Sequence, residues 1–170
     1  TAGHFTGEHA PGIQDPVAAF LSTHHLLLSH GKAVQVLRAE LPAEAKIGIT
    51  LNLSPVHAAS DKLEDQQAAQ RFDTILNHTF LDPVLLGRYP EELSDIIGPL
   101  RGQIDASDMT SIAQPLDFLG INYYSRAVTQ YDPNFPLLQA SEIKPVGNEY
   151  SMMWEIYPAG IYELLTRVHN

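Results

Sequence analysis

The sequence of 170 residues contains no cysteine, which excludes disulfide bonds and thiolate metal ligands. It also has no apolar run near the roughly 18 residues that a membrane-spanning helix requires, so we expect no membrane partner. Basic residues are scarce, since ten Lys and Arg stand against twenty Asp and Glu, for a formal net charge of −10. Because these few positive charges are scattered, we expect no nucleic-acid partner.

Signature motifs of several enzyme classes are missing as well. The chain has neither a Gly-x-Ser-x-Gly nucleophile motif nor a His-Glu-x-x-His zinc motif. Three of its eight histidines, His24, His25 and His30, fall in one helical segment, but none has a second ligand at a four-residue spacing. We therefore predict no metal site and no cofactor, and we interpret these histidines as helix-packing residues.

The first residues, Thr1-Ala2-Gly3, include neither an initiator methionine nor the basic and apolar regions of a signal peptide. We expect that other residues precede them and that the protein is cytoplasmic. The remaining composition, with 44% hydrophobic and 18% charged residues, is typical of a folded globular chain.

Hydrophobic spacing predicts the order helix, strand, helix, strand, helix. Asp15 is suited to N-cap a first helix that begins at Pro16 and ends before Leu41-Pro42. A second helical region opens near Ser60 and should break at Asp82-Pro83. The other predicted segments are a strand at 46–53, the second helical region at 60–76, a short helix at 91–97, an irregular stretch at 98–108, a strand at 116–121, a long loop at 132–151 and a last helix at 158–168. Two strands cannot bury three helices, so this order predicts part of a larger α/β barrel or sheet.

Both predicted strands end in polar side chains. Asn52 closes the first, and the second, within "PLDFLGINYYS", ends in Asn122 and Tyr124. Residues two apart in a strand share a face, and in an α/β barrel that face points into the active site at the strand's carboxyl end. The alternative is that these groups only cap the strand. Trp154, the single tryptophan, is suited either to a core or to the flat platform that a sugar face prefers.

Six stretches of the sequence together resemble the glycoside hydrolase family 1 β-glucosidases. They are GEHAPG (7–12), HHLLLSHGKAVQVLR (24–38), KIGITLN (46–52), FLDPVLLGRYP (80–90), LDFLGINYYS (116–125) and WEIYPAGIYELL (154–165). The resemblance implies an α/β fold that is part of a (β/α)8 TIM barrel. It places residues 1–170 as the central segment of a single barrel domain, incomplete at both ends, from the loop after strand four, through strands five and six, to the helix before strand seven.

The resemblance implies a retaining β-glucosidase that hydrolyses terminal β-D-glucosidic bonds of oligosaccharides or of aryl or alkyl glucosides. The family uses one glutamate in an Asn-Glu-Pro motif and another in a Thr-Glu-Asn-Gly motif, and neither motif occurs here. In Asn148-Glu149, Tyr150 follows where the family has Pro, so we interpret Glu149 as a loop residue. We expect the isolated chain to be inactive and its partners to be a β-glucoside and the remaining segments of the same barrel. The alternative is a non-catalytic sugar-binding or interaction module.

The resemblance also implies roles for individual residues. Tyr124 is similar to the tyrosine that hydrogen-bonds the nucleophilic carboxylate, and Asn122 is similar to the amide that positions the catalytic carboxylates. Trp154 is similar to the aglycone-side platform, and His9 and Asn52 fall at positions that line the same entrance. Met153 stands where the family usually has Gly, a departure that bears on aglycone preference.

Overall fold

The computed structural model describes residues 2–94, 98–100, 103–135 and 137–169. The chain forms two compact units, one of Thr1–Ile49 with Thr79–Leu119 and one of Thr50–His78 with Gly120–Asn170. The α-helices that the described residues contain in full are α1 (Pro16–Glu40), α2 (Leu63–Asp73), α3 (Thr79–Leu86), α4 (Ala106–Ile112) and α5 (Ala159–His169). Its strands are β1 (Gly48–Asn52), β2 (Val56–Ala58), β3 (Phe118–Asn122), β4 (Ala127–Tyr131), β5 (Ala140–Ile143), β6 (Tyr150–Ser151) and β7 (Trp154–Glu155).

Helix α1 begins where the sequence predicts. The Asp15 carboxylate accepts hydrogen bonds from the backbone N–H groups of Val17 at 2.8 Å and Ala18 at 3.2 Å, and Pro16 follows at the first helical position. These contacts pair amides that the helix itself leaves without partners. Its buried positions recur every three or four residues, as one helical face requires, and are Phe20, His24, Leu27, Gly31 and Val34.

The first unit packs around a small apolar core. Leu27, Val84 and Ile112 form its buried centre, with Leu28, Ile49, Phe80, Tyr89, Met109 and Leu116 packed against them. His24 is buried on the same face of α1, and its ring nitrogens lie 3.0 Å from the Tyr89 hydroxyl and 3.2 Å from the Asp108 carboxylate. His24 therefore packs against α4 through a satisfied polar contact.

Helix α4 is a feature that the sequence prediction of an irregular stretch at 98–108 missed. Asp105 and Asp108 form a capping box, in which the Asp105 carboxylate accepts from the Ser107 N–H at 2.8 Å and the Asp108 carboxylate accepts from the Asp105 N–H at 3.1 Å. The predicted short helix at 91–97 appears as a 3-10 turn at Glu91–Leu93, and residues 95–97 lie outside the described residues.

The predicted helix break at Asp82-Pro83 is wrong. A π-helical turn at Thr74–His78 follows α2, and α3 continues to Leu86 with Pro83 inside it. Proline costs a helix one backbone hydrogen bond. Pro83 is buried, so its apolar ring compensates part of that loss through packing.

Strands β1 and β3 pair with each other and run in the same direction. At one end the Asp117 N–H donates to the Ile47 carbonyl at 2.8 Å, and at the other the Leu53 N–H donates to the Asn122 carbonyl at 3.1 Å. Burial is lower than the sequence indicates, since Phe118 is 52% exposed. Each of these strands pairs with one strand among the described residues, so no described strand pairs with its other edge.

The second unit contains a three-stranded sheet in the order β2-β4-β5 and the β6–β7 hairpin. Strand β2 runs parallel to β4, and β5 runs antiparallel to it. Helix α2 packs on this sheet through buried Ala68 and Ala69. Strands β5 and β6 lie within the stretch at 132–151 that the sequence predicts as a loop. The described strands form separate sheets and do not close into a barrel. No helix in the described ranges is long and apolar enough to cross a membrane.

Asp117 provides a test of the contacts that hold the start of β3. Its carboxylate accepts from the Ile47 N–H at 2.8 Å and from Arg38 at 2.7 Å, and these two hydrogen bonds lower its pKa. A lowered native pKa gives stability that is present above the unfolded value of about 3.9 and is lost as pH falls through the native value. Asp117→Asn should therefore lower the thermal midpoint at neutral pH and flatten its decline below about pH 4.

The measurement is a thermal unfolding series from neutral to acid pH. Asp61→Asn, at an exposed aspartate before α2, removes the same charge and is the control. An Asp117→Asn series parallel to the wild-type series at all pH values would contradict the expectation.

Candidate active site

Two amide side chains meet at the carboxyl ends of the β1–β3 pair. The Asn122 side-chain N–H donates to the Asn52 side-chain oxygen at 2.9 Å, and both residues are exposed. The two strands lie close together just before this point. A Cβ on Gly120 would collide with the Thr50 side chain, so only glycine fits there. These two strand-end amides therefore lie together in the second unit.

Tyr124 and Trp154 form a stacked aromatic pair. Their ring centroids are 5.2 Å apart with an interplanar angle of 27°, and the residues are 55% and 45% exposed. Within the described part of the chain, the Tyr124 hydroxyl makes no hydrogen bond. The pair thus presents a flat apolar surface beside an available phenol donor.

An open cleft of about 280 Å³ lies along this pair. Aromatic rings dominate its lining, with a few polar groups among them, a combination suited to a ligand with both flat apolar faces and hydroxyl groups. The lining residues are Tyr123, Tyr124, Ser151, Trp154, Glu155, Ile156, Tyr157 and Pro158.

Tyr123 anchors the chain beside this surface. Its hydroxyl donates to the Tyr157 carbonyl at 2.5 Å, and burial, with the nearby Glu163 carboxylate, raises its pKa. Gly160 permits this contact, because a Cβ there would overlap the Tyr123 hydroxyl. The start of α5 is therefore fitted to the tyrosine that precedes Tyr124.

A network of charged groups lies beside the aromatic pair. Arg126 donates to both Glu155 oxygens, at 3.0 and 2.8 Å, and to His57 Nδ1 at 2.9 Å. His57 Nε2 lies 2.8 Å from Glu163, which also accepts a hydrogen bond from the Tyr157 hydroxyl at 2.5 Å. Because Arg126 can only donate, His57 Nδ1 must accept, so the ring proton lies on Nε2 and is donated to Glu163.

Glu163 is held ionised within this network. Partial burial raises its pKa, but the hydrogen bonds from Tyr157 and His57 outweigh that effect, and the net pKa is lowered. Glu163 is thus suited to accept hydrogen bonds rather than to supply a proton near neutral pH. Across residues 2–94, 98–100, 103–135 and 137–169, no three acidic or histidine side chains lie close enough together to hold a metal ion.

The structure brings four of the five site residues predicted from sequence together in two pairs. Asn52 contacts Asn122, and Tyr124 contacts Trp154. His9 lies in the first unit, in an exposed turn where its carbonyl accepts from the Gly12 N–H at 2.8 Å, and its site role stays a prediction.

Sequence reasoning missed the charged network. Arg126 and Glu155 are buried or partly buried, yet Arg126 directly follows the motif that carries Tyr124, and Glu155 is the residue after Trp154 within its motif. Opposite charges close to the two aromatic residues were the available signal. His57 and Glu163 gave no such signal, because β2 and α5 bring them together only in the folded unit.

Comparisons with known proteins identify the family of the chain. The family model for glycosyl hydrolase family 1 matches residues 1–170. Beta-glucosidase A of Acetivibrio thermocellus is 42% identical over 167 residues, covering 96% of this chain and 37% of the relative. The crystal structure of a β-glucosidase from Exiguobacterium marinum has a TM-score of 0.89 at 36% identity, covering 98% of this chain and 38% of that one.

A family 1 β-glucosidase from Thermotoga maritima has a TM-score of 0.84 at 36% identity, with 98% of this chain and 37% of that chain covered. The chain thus spans well under half the length of the relatives that it matches. Their fold is the (β/α)8 barrel, of which the described strands and helices form a part. Because the family match extends over its whole length, the chain belongs to glycosyl hydrolase family 1.

Proposed function

We propose that this chain is the central segment of a single (β/α)8 barrel domain in a retaining β-glucosidase. The proposed reaction is hydrolysis of terminal β-D-glucosidic bonds of oligosaccharides or of aryl or alkyl glucosides. The observation that carries the proposal is the Asn52–Asn122 amide pair and the exposed Tyr124–Trp154 stack in one unit. The similarity to proteins named β-glucosidases supports the same reaction.

The two catalytic carboxyls would come from other segments of the same barrel. Retention requires two carboxyl groups about 5–5.5 Å apart, one to protonate the leaving oxygen and one to attack the anomeric carbon. The Asn-Glu-Pro and Thr-Glu-Asn-Gly motifs that carry them in the family do not occur in these 170 residues. Glu155 is a poor substitute, because its carboxylate is buried against Arg126.

This segment would supply the groups that support the reaction. The Tyr124 phenol would donate to the nucleophilic carboxylate, which favours the ionised form that attack requires. Asn122 would orient the catalytic carboxylates, and Asn52 would line the aglycone-side entrance. Trp154 would provide the platform for the aglycone, with His9 at the same entrance.

The isolated chain should not hydrolyse 4-nitrophenyl β-glucoside, because it lacks both glutamates of the proposed mechanism. Addition of the missing barrel segments from a family 1 relative should restore release of nitrophenol. The measurement is nitrophenol absorbance, with the added segments alone as the control. Turnover by the 170 residues alone at the rate of a complete enzyme would contradict the proposal, and glycoside binding by a stable chain that no added segment activates would favour the sugar-binding module.

Tyr124→Phe in the completed enzyme should lower kcat by about 10- to 100-fold, the range for losing a hydrogen bond to a charged group. The ring and its stack on Trp154 remain, so KM should change little. Tyr162→Phe, at an exposed tyrosine of α5, is the matched control. An unchanged kcat for Tyr124→Phe would remove Tyr124 from the catalytic groups.

A further inference from the structure

We propose that the Arg126–Glu155 ion pair is a positioning device that holds Trp154 against Tyr124 and so fixes the aglycone-side platform. The inference rests on the proposed function for the identity of the ligand, an aryl or alkyl aglycone. Its geometric part concerns only the second unit and stands on the contacts described there.

Each residue of the short segment 123–126 contacts a residue of the segment 154–157, and we call this arrangement the clamp. Tyr123 donates to the Tyr157 carbonyl, and the Tyr124 ring stacks on Trp154. The Ser125 hydroxyl donates to the Glu155 carbonyl at 3.1 Å. Tyr124 therefore lies between two anchored residues, and Trp154 directly precedes one.

The ion pair is the bidentate contact of the clamp. Arg126 binds both Glu155 oxygens, and the two side chains are only 18% and 7% exposed. Bidentate pairing fixes direction as well as distance, and water screens a buried pair much less than an exposed one. The Asn148 side-chain N–H adds a third donor to Glu155 at 2.8 Å. Because Glu155 directly follows Trp154, fixing its carboxylate restricts the backbone that carries the indole ring.

Arg126 is itself held from two further sides. Its guanidinium carbon lies 4.1 Å from the centroid of the Tyr157 ring, and its remaining nitrogen donates to His57. Tyr124 and Trp154, by contrast, are half-exposed and stack on each other. A buried ion pair is often no more stabilising than apolar packing of the same size. Glu155 directly follows Trp154, and Arg126 lies two residues after Tyr124, so the placement of the pair indicates a role in geometry.

The single tryptophan gives a direct test, because the intrinsic indole fluorescence of this chain reports Trp154 alone. Tyr124→Ala defines the signal of the unstacked indole. Glu155→Gln keeps the side-chain shape but removes the charge, and Arg126→Lys keeps the charge but removes bidentate geometry. In folded protein, both variants should shift the emission maximum and the acrylamide quenching toward the Tyr124→Ala values.

A second bidentate pair in the same unit provides the matched control. Arg167 binds both Asp73 oxygens, at 3.0 and 2.6 Å. Asp73→Asn should lower stability but leave Trp154 emission of the folded protein unchanged. Wild-type emission from Glu155→Gln, or an equal shift from Asp73→Asn, would overturn the proposal. If Glu155→Gln and Arg126→Lys do not fold, Asn148→Ala at an exposed residue tests the same carboxylate, and its wild-type emission would equally count against the clamp.

Kinetics of the completed enzyme test the function of the clamp. Glu155→Gln should raise KM for an aryl β-glucoside by about 2- to 10-fold, the range for one aromatic contact, while kcat and the KM for methyl β-glucoside stay unchanged. Equal effects on both substrates would overturn the positioning role. The emission measurement needs no substrate, so it is independent of the proposed function. If the variants of the chain show shifted emission but the assembly with the wild-type chain shows no turnover, the clamp is supported and the proposed function is not.

Discussion

The shared direction of β1 and β3 is the constraint on which the candidate site depends. Parallel strands place their carboxyl ends at one edge, so the residues that close them become neighbours however far apart they are in sequence. Asn52 and Asn122 are seventy positions apart and still form a 2.9 Å hydrogen bond. The chain after β3 then continues directly into Tyr123 and Tyr124.

In the second unit, polar contacts of the neighbouring residues hold the stacked rings of Tyr124 and Trp154 in place. The Tyr123 hydroxyl, the Ser125 hydroxyl and the Arg126 guanidinium all bind the segment that carries Trp154. Such contacts are directional, whereas apolar packing tolerates sliding. A platform that must leave one face open for a ligand cannot be buried on all sides, so directional contacts at its neighbours are a physical way to keep it in place.

Local signals explain which elements were predictable. Asp15-Pro16 marks a helix start by its own chemistry, and α1 begins there. The β-branched and apolar runs at β1 and β3 were similarly evident, and α5 begins within one residue of the predicted start. Helix α4 was predictable in principle, because Asp105 and Asp108 stand at the spacing of a capping box. The break assigned to Pro83 was wrong, since α3 continues through this residue and packing of its buried ring compensates part of the lost hydrogen bond.

By itself, the sequence determined the polar strand ends, the lone tryptophan and the motifs of family 1, because each depends on residue identity and local spacing. It did not determine β2, β4 and β5, whose short strands are defined by their pairing across the unit. Nor did it determine the stack of Tyr124 on Trp154 or the bond from Arg126 to Glu155, in which the partners are about thirty positions apart. Only the tertiary structure decides such contacts, because the free energy of a long-range pair depends on the packing that brings its members together and excludes water around them.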